Sequence, residues 1–251
     1  MTACSDCGSD MRHNRWHCCD EATPTSFPIF GVYMKICAIS DQHGNLPKIP
    51  SCDLFLIAGD LCPATDHGLY FQERWLETNF KEWLRDVDAK LKVFICGNHD
   101  FYFEKTPKRL VDKLMQNFPG TYLQDSSVEF EGLNIFGSPW QPYFYDWAFN
   151  LYENDLKKKW ELIPKNTDIL IVHGPPHTYG DYAPRPKDKG GEHTGSPSLL
   201  EKIREIEPKL AVFGHIHEGR GEWDLGKTKL ANVTILNGRY EMVYEPWIYT
   251  I

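Results

Sequence analysis

Apolar runs of strand length recur along this chain, and they end in an unusual way. Five segments read KICAISDQHGN from Lys35, LFLIAGD from Leu54, KVFICGNHD from Lys92, DILIVHGPP from Asp168 and LAVFGHIHEG from Leu210. Near-continuous Val, Ile, Leu and Phe mark strands buried on both faces. Strands are predicted over residues 34–39, 53–58, 92–96, 168–172 and 210–213. Phe71, Trp75, Phe80, Trp83, Leu84 and Val87 recur near helical spacing and predict a helix over 70–90. A second helix is predicted over 106–118, with Thr106 as N-cap and Pro107 in its first position. Residues 128–130 and 133–136 read as a hairpin around Glu131-Gly132. A charged helical turn is predicted over 153–160, and a helix over 198–205 capped by Ser196 or Ser198. Residues 139–149 are aromatic but too broken by Pro for a helix, and residues 174–197 read as a long Gly- and Pro-rich loop. The tail offers strands at 233–236, 241–244 and 247–251. Strands alternating with helices, then strands alone, predict an α/β fold with mixed sheets.

The first 33 residues break this pattern. They are polar, rich in Cys and His, and without periodicity, and Met34 opens the first strand. The chain is therefore read as a disordered extension over 1–33 ahead of one folded domain over 34–251. Cys4, Cys7, His13, His17, Cys18 and Cys19 offer an alternative. A C-x2-C pair followed by His and Cys can hold zinc, although Cys18-Cys19 is not a zinc-knuckle spacing. A length of 251 residues suits one domain with a large core. A net charge of −8 argues against a grip on long nucleic acid. It leaves room for a small phosphorylated substrate beside bound cations, which invert the local field. No apolar stretch approaches the roughly 20 residues of a membrane span, and no secretory signal is expected in the first 33. Cys37, Cys52, Cys62 and Cys96 lie in or beside the apolar runs and read as reduced, packed thiols, which points to the cytoplasm. A Walker A motif and a dinucleotide fingerprint are both missing, so an ATPase or dehydrogenase is unsupported.

The strand-ending residues carry the chemistry. They are Asp41, His43, Asp60, Asn98, His173, His215 and His217. Open α/β sheets bind ligands in the crevice at their strands' carboxyl ends. Two ionised carboxylates there, Asp41 and Asp60, would repel each other unless a cation sat between them. Asp60, preceded by Gly59, is the natural bridge between two ions. Mixed oxygen and imidazole donors without thiolate suit two divalent metal ions, manganese, iron or zinc rather than copper or calcium. Two ions about 3.5–4 Å apart can hold a bridging hydroxide and clamp an in-line phosphoryl displacement. His99, between Asn98 and Asp100, is placed to protonate a leaving oxygen, with Asp100 orienting its ring. Each piece alone is weak. Most Asp-x-His pairs are surface loops, Gly-Asn-His-Asp can be a β-turn, and a lone His173 would more often be a core histidine. The set, in order and each at a strand end, is specific.

In that order, D-x-H, G-D, G-N-H-D, H-G and G-H-x-H resemble the calcineurin-like metallophosphoesterase superfamily, over nearly everything from Met34 to Ile251. The resemblance implies a metallo-dependent phosphatase fold, a two-sheet β-sandwich of mixed strands flanked by α-helices, with the metals at one edge. It implies one ion on Asp41, His43, Asp60 and His217, a second on Asp60, Asn98, His173 and His215, and His99 as general acid. FKEWL, GSPWQPYF, WAFNL, HGPP and PKLAVFGHIHEGRG look similar to the metallophosphoesterase-domain-containing group, related to class III cyclic-nucleotide phosphodiesterases. The chain departs from that pattern before Met34 and at Gly195-Ser196-Pro197, where a Cys after the Gly is expected. The activity implied is hydrolysis of a small phosphodiester, such as a cyclic nucleotide, or of a phosphomonoester. A nuclease or protein phosphatase of the same superfamily and a non-catalytic metal-binding scaffold are the alternatives. Trp140 and Tyr143 are candidates to stack on a base or aryl group, against the blander reading that they pack their loop onto the domain. Arg185, with Lys187 and Lys189, is a candidate to meet a phosphate, against solvated loop charge.

Overall fold

The five apolar runs become central strands of two sheets in the computed structural model, which describes residues 33–184 and 190–251. In the first sheet, β1 (Lys35–Ile39), β2 (Cys52–Ala58), β3 (Ala89–Ile95) and β4 (Thr121–Tyr122) run parallel in that order. The last strand, β15 (Trp247–Thr250), closes the β1 edge antiparallel. The second sheet has the order β13 (Gly221–Leu225), β14 (Thr228–Asn232), β12 (Leu210–Phe213), β9 (Ile169–Val172), β6 (Leu133–Ser138) and β5 (Ser126–Phe130). Its four inner strands are parallel, and β13 and β5 are antiparallel hairpin arms at the edges.

Side-chain alternation decides the layers. Ile36, Ala38, Leu54, Leu56, Val93 and Ile95 face Ile135, Ile169, Ile171, Leu210 and Val212 between the sheets. Their neighbours Cys37, Ile39, Phe55, Ile57 and Phe94 point outward, onto Trp75, Leu76, Phe80 and Leu84. Those four belong to one helical rod built from α1 (Leu69–Trp75), a π-helical stretch over Leu76–Phe80, and α2 (Lys81–Asp86). On the far side, Phe136, Leu170, Val172 and Phe213 meet Leu156 and Trp160 of α5 (Glu153–Trp160) and Leu199 and Ile203 of α6 (Pro197–Ile206). Apolar cover on both faces is why the strands read as continuous rather than alternating runs. The result is the expected sandwich of two mixed sheets flanked by helices. Among the described residues, no helix is long and apolar enough to cross a membrane. Cys37, Cys52, Cys62 and Cys96 are free and buried. The extension with Cys4, Cys7, His13, His17, Cys18 and Cys19 lies outside the described residues.

Several local expectations are corrected. The helix predicted to residue 90 stops at Asp86, where Lys92 Nζ reaches back to the carbonyls of Leu84 and Arg85 at 2.7 and 3.2 Å. Thr106 is not an N-cap; its N–H closes the end of the short helix α3 (Phe101–Lys105) on Tyr102 O at 3.0 Å. The following helix, α4 (Lys108–Met115), starts after Pro107 without a side-chain cap. The 174–197 loop contains a small antiparallel hairpin, β10 (Tyr182–Pro184) with β11 (Gly191–His193). Residues 233–236 and 241–244 make only isolated bridges, Ser40 with Thr234 and Leu236 with Met242. The strands of that region are β13 and β14, turned tightly by Gly226 in the left-handed region (φ 61) and Lys227.

Ser196, one of the departures noted in the sequence, is a structural residue. It is buried at the N-cap of α6, accepting from Leu199 N at 3.1 Å and from Trp160 Nε1 at 3.1 Å. Its hydroxyl donates to Glu153 Oε1 at 3.0 Å, so one side chain joins α5 to α6. Ser196→Ala is expected to lower stability by about 1–2 kcal/mol, read as a shift in the urea unfolding midpoint with an unchanged m-value.

Candidate metal centre

The parallel strands of both sheets bring their carboxyl ends to one rim. Asp41 follows β1, Asp60 follows β2, Asn98 follows β3, His173 follows β9 and His215 follows β12. At four of the candidate ligands the backbone turns through the left-handed region: Asp41 (φ 57), His43 (φ 44), Asp60 (φ 55) and His215 (φ 67). Such a backbone costs a non-Gly residue on the order of 1–3 kcal/mol. Cross-links hold the turns in place. Asp41 N donates to Gly59 O at 3.0 Å, His43 N to Asp60 O at 2.9 Å, and His215 N to Asp41 Oδ1 at 2.9 Å. Gly59 itself has φ 98, and a Cβ there would stand 2.6 Å from His173 Nδ1. At Gly214 a Cβ would run into Ser40 Oγ and Asp41 Oδ2. The two sheets touch at this rim because these positions have no side chain.

All seven strand-ending residues are brought together. Asp60 Oδ2 lies 3.4 Å from His43 Nε2 on one side and 3.4 Å from His173 Nε2 on the other. Asp41 Oδ1 faces His217 Nε2 at 3.5 Å. Asn98 Oδ1 meets His173 Nε2 at 2.9 Å and His215 Nδ1 at 2.8 Å. Three clusters put their donor atoms within 4.8 Å of one another: Asp41, His43 and His217; His43, Asp60 and His99; Asp41, Asp60 and His173. Asp60 thus joins two neighbouring groups through one oxygen, with Oδ1 taken up by His99 N at 2.7 Å.

The donor set fits cations. His173 Nδ1 is committed to Ala58 O at 2.8 Å and His217 Nδ1 to Asn237 O at 3.1 Å. Carbonyl acceptors on the far nitrogen fix the tautomer, and both Nε2 lone pairs point inward, as metal-binding imidazoles require. His43 is the clearest sign: neither of its buried ring nitrogens has a hydrogen-bond partner. A buried polar atom without a partner is costly unless something else satisfies it.

Electrostatics agree. Burial works to raise the Asp41 carboxyl, but the hydrogen bond and charge of His217, with His173, hold it at about 2. Burial likewise opposes the Asp60 anion and loses to His173, His99 and His43, which keep it well below the ordinary carboxylate range. Burial pushes His43 down to about 4 and His215 down to about 3. His173 goes the other way: burial is outweighed by the Asp60 carboxylate, which raises it to about 9.

His99 is 4.6 Å from His43, ring to ring, on the floor of a cavity of about 390 Å³. Asp100 does not orient it. The Asp100 carboxylate is fully buried and accepts from Gly97 N at 2.8 Å, Cys62 N at 2.9 Å and Leu61 N at 3.1 Å. The ring partner of His99 Nδ1 is His67 Nε2 at 3.0 Å, with Trp147 packed on the ring at 4.2 Å. Tyr143 lines the cavity, together with Pro142, Phe144, Trp147, Glu192, Thr194 and Tyr240. Trp140 does not. Its Nε1 donates to Asp125 Oδ2 at 2.9 Å, and Lys159 Nζ sits over its ring at 4.2 Å, so the packing reading holds there. Arg185, Lys187 and Lys189 lie outside the described residues. His67, Trp147 and Tyr240 escaped the sequence reading because they sit on loops without periodicity. Only the Asn237-Gly238 turn signal before Tyr240 hinted at a fixed geometry.

Fold and site together define a member of a known class: the sequence model of calcineurin-like phosphoesterases matches residues 16–219, and the chain belongs to that family. It is 36% identical over 238 residues to human metallophosphoesterase domain-containing protein 1, covering 85% of this chain and 70% of that one. A UPF0046 protein of Caenorhabditis elegans is 32% identical over 257 residues, covering 89% and 61%. Among solved structures, a Thermus thermophilus protein aligns with a TM-score of 0.51 at 15% identity, over 80% of this chain and 88% of that one. Phosphopantetheinyl hydrolase from Mycobacterium tuberculosis aligns at 0.50 and 13% identity, over 86% and 95%. Both share the fold.

The rim geometry is testable apart from any activity. Gly214→Ala forces a methyl into Asp41 and Ser40 and is expected to lower stability by about 1–3 kcal/mol, measured by urea unfolding of chelator-treated protein.

Proposed function

We propose that this chain is a phosphoesterase working with two divalent cations, and that small phosphodiesters carrying a flat organic group are its substrates. The observation that carries the reading is Asp60 Oδ2, which faces an imidazole nitrogen in each of two adjoining donor groups. Asp41, His43, Asp60 and His217 would hold one ion. Asp60, Asn98, His173 and His215 would hold the other. This thiolate-free set suits manganese, iron or zinc, and manganese is the ion for a first assay. Bound there, the pair would neutralise phosphoryl charge and lower the pKa of a water, supplying a nucleophile near neutral pH.

The chain's own residues do the rest. The carbonyls of Ala58 and Asn237 lock His173 and His217 in the ligating tautomer. With Nδ1 of His99 taken by His67, Nε2 is the nitrogen left to protonate a leaving oxygen. The wall of Pro142, Tyr143, Phe144 and Trp147 offers aromatic faces to an aryl or nucleobase group. That wall and the net charge of −8 favour a small diester, a cyclic nucleotide included, over long nucleic acid. The name of the human relative gives a domain and no substrate, so the substrate class rests on the cavity. The buried free thiols support a reducing compartment, the cytoplasm.

The test is hydrolysis of bis-p-nitrophenyl phosphate with added manganese. His99→Ala is expected to lower kcat about 10²–10⁴-fold while metal content stays near two ions per chain. Equal rates for wild type and His99→Ala would sink the acid role. Asp60→Asn is expected to lose both ions, because one oxygen serves both groups; metal analysis after reconstitution showing both retained would contradict the shared ligand.

A further inference from the structure

One strained aromatic in the cavity has no part in that chemistry. Tyr240 lies in a turn with φ 62, a region that bulky side chains rarely enter. Asn237 holds the turn. Its Oδ1 accepts from Arg239 N at 2.9 Å and Glu241 N at 3.1 Å, and its carbonyl accepts from Tyr240 N at 2.9 Å. Burial does not explain the strain, because Tyr240 is 50% exposed. What the strained backbone achieves is placement. The ring packs tilted on His43 at 4.8 Å and edge-on to His217 at 4.9 Å. The carbonyl that fixes Tyr240 N also accepts from His217 Nδ1, so the turn is tied to the donor cluster.

The order of rings along the cavity gives Tyr240 its role. Trp147, His99, His43 and Tyr240 follow one another with centroid spacings of 4.2, 4.6 and 4.8 Å. If His99 protonates the leaving oxygen, Trp147 flanks the leaving group, and Tyr240, two rings further along, stands clear of it. The substituent that stays on phosphorus lies off the displacement axis, and Tyr240 is a cavity aromatic packed directly on the ligand candidates His43 and His217. We propose that Tyr240 is a specificity-determining residue whose ring packs against the retained substituent of a phosphodiester, a group that a phosphomonoester lacks. This rests on the phosphoesterase reading above.

Bis-p-nitrophenyl phosphate and p-nitrophenyl phosphate share a leaving group and differ by the retained aryl ring, so their kcat/KM ratio isolates this contact. Tyr240→Asn keeps a residue that tolerates the left-handed region, and Tyr240→Phe keeps the ring. In Tyr240→Asn the diester kcat/KM is expected to fall about 3–10-fold and the monoester value by less than about twofold. Tyr240→Phe is expected to keep the wild-type ratio. Chelator-treated Tyr240→Asn is expected to melt at or above the wild-type Tm, since backbone strain is released. Equal losses on both substrates, or a Tm lowered by several degrees, would show a structural ring and overturn the proposal. Loss of the ratio in Tyr240→Phe would overturn the ring contact. An active wild type with an unchanged ratio in Tyr240→Asn overturns this proposal alone. A wild type that hydrolyses neither ester with both ions bound overturns the phosphoesterase reading and this proposal with it.

Discussion

Two carboxylates buried among four imidazoles are the constraint on which the rest of this structure turns. Asp41 and Asp60 are almost wholly out of water, and the nitrogens of His43, His173 and His217 stand 3.4–3.5 Å from their oxygens. Uncompensated charge at that depth costs several kcal/mol per ion (roughly, after relaxation). A cation pair turns the same crowding into coordination. Much else at the rim serves to hold the donors there: left-handed turns at four of them, glycines where the sheets touch, and carbonyl acceptors behind two rings. None of these devices favours folding locally. The inter-sheet and outer cores, packed with Ile, Leu, Val and Phe, supply the stability that lets the strain persist.

Asp100 shows how the rim is braced. Burial and the neighbouring Asp60 charge raise it to about 6, yet three N–H donors, from Gly97, Leu61 and Cys62, converge on it. It therefore ties the loop after β3 to the loop after β2, and so sets the distance between Asn98 and Asp60. The Asp of Gly-Asn-His-Asp is a clamp on two loops rather than a partner of the histidine before it. Freed from Asp100, the His99 ring is held by groups from elsewhere, His67 and Trp147. An imidazole partner carries no fixed charge, unlike a carboxylate, so the surroundings of His99 leave its pKa lowered by burial rather than raised.

The buried strands, the α/β class and the seven strand-ending residues were legible in the sequence because each is set by a local rule, while the two-sheet sandwich followed from the resemblance those residues carry. A buried parallel strand must be an apolar run, and a ligand at its end must be a polar residue where the run stops. Thr106 misled because a cap is judged against the helix expected after it, and Phe101–Lys105 formed a helix of its own. The β13–β14 hairpin was missed because Glu222, Asp224, Lys227 and Lys229 interrupt Trp223, Leu225 and Leu230 at an edge with one solvated face. Trp140 and Trp147 share one aromatic segment, and only the three-dimensional path of that segment sends one to Asp125 and the other to His99. Contacts between residues far apart in the chain, such as His67 with His99, leave no periodic trace.

Floor and wall of the cavity therefore obey different physics. The floor hangs on strand ends hydrogen-bonded on both sides, and a displaced ligand there would break the ladder beneath it. The wall comes from three segments, at Pro142–Trp147, at β10–β11 and at the Asn237 turn, held by short two-residue or three-residue pairings and side-chain bonds rather than by either main sheet. A loop can change length or composition without disturbing a parallel strand end. Structures at 13–15% identity can thus keep the sandwich, while substrate choice is set by whichever aromatic and polar groups the loops hold over the rim. Reaction class and substrate class are then separable properties of one site. Within the wall, Asn237 uses its side chain and carbonyl to hold a single turn, and that turn stands Tyr240 over His43 and His217.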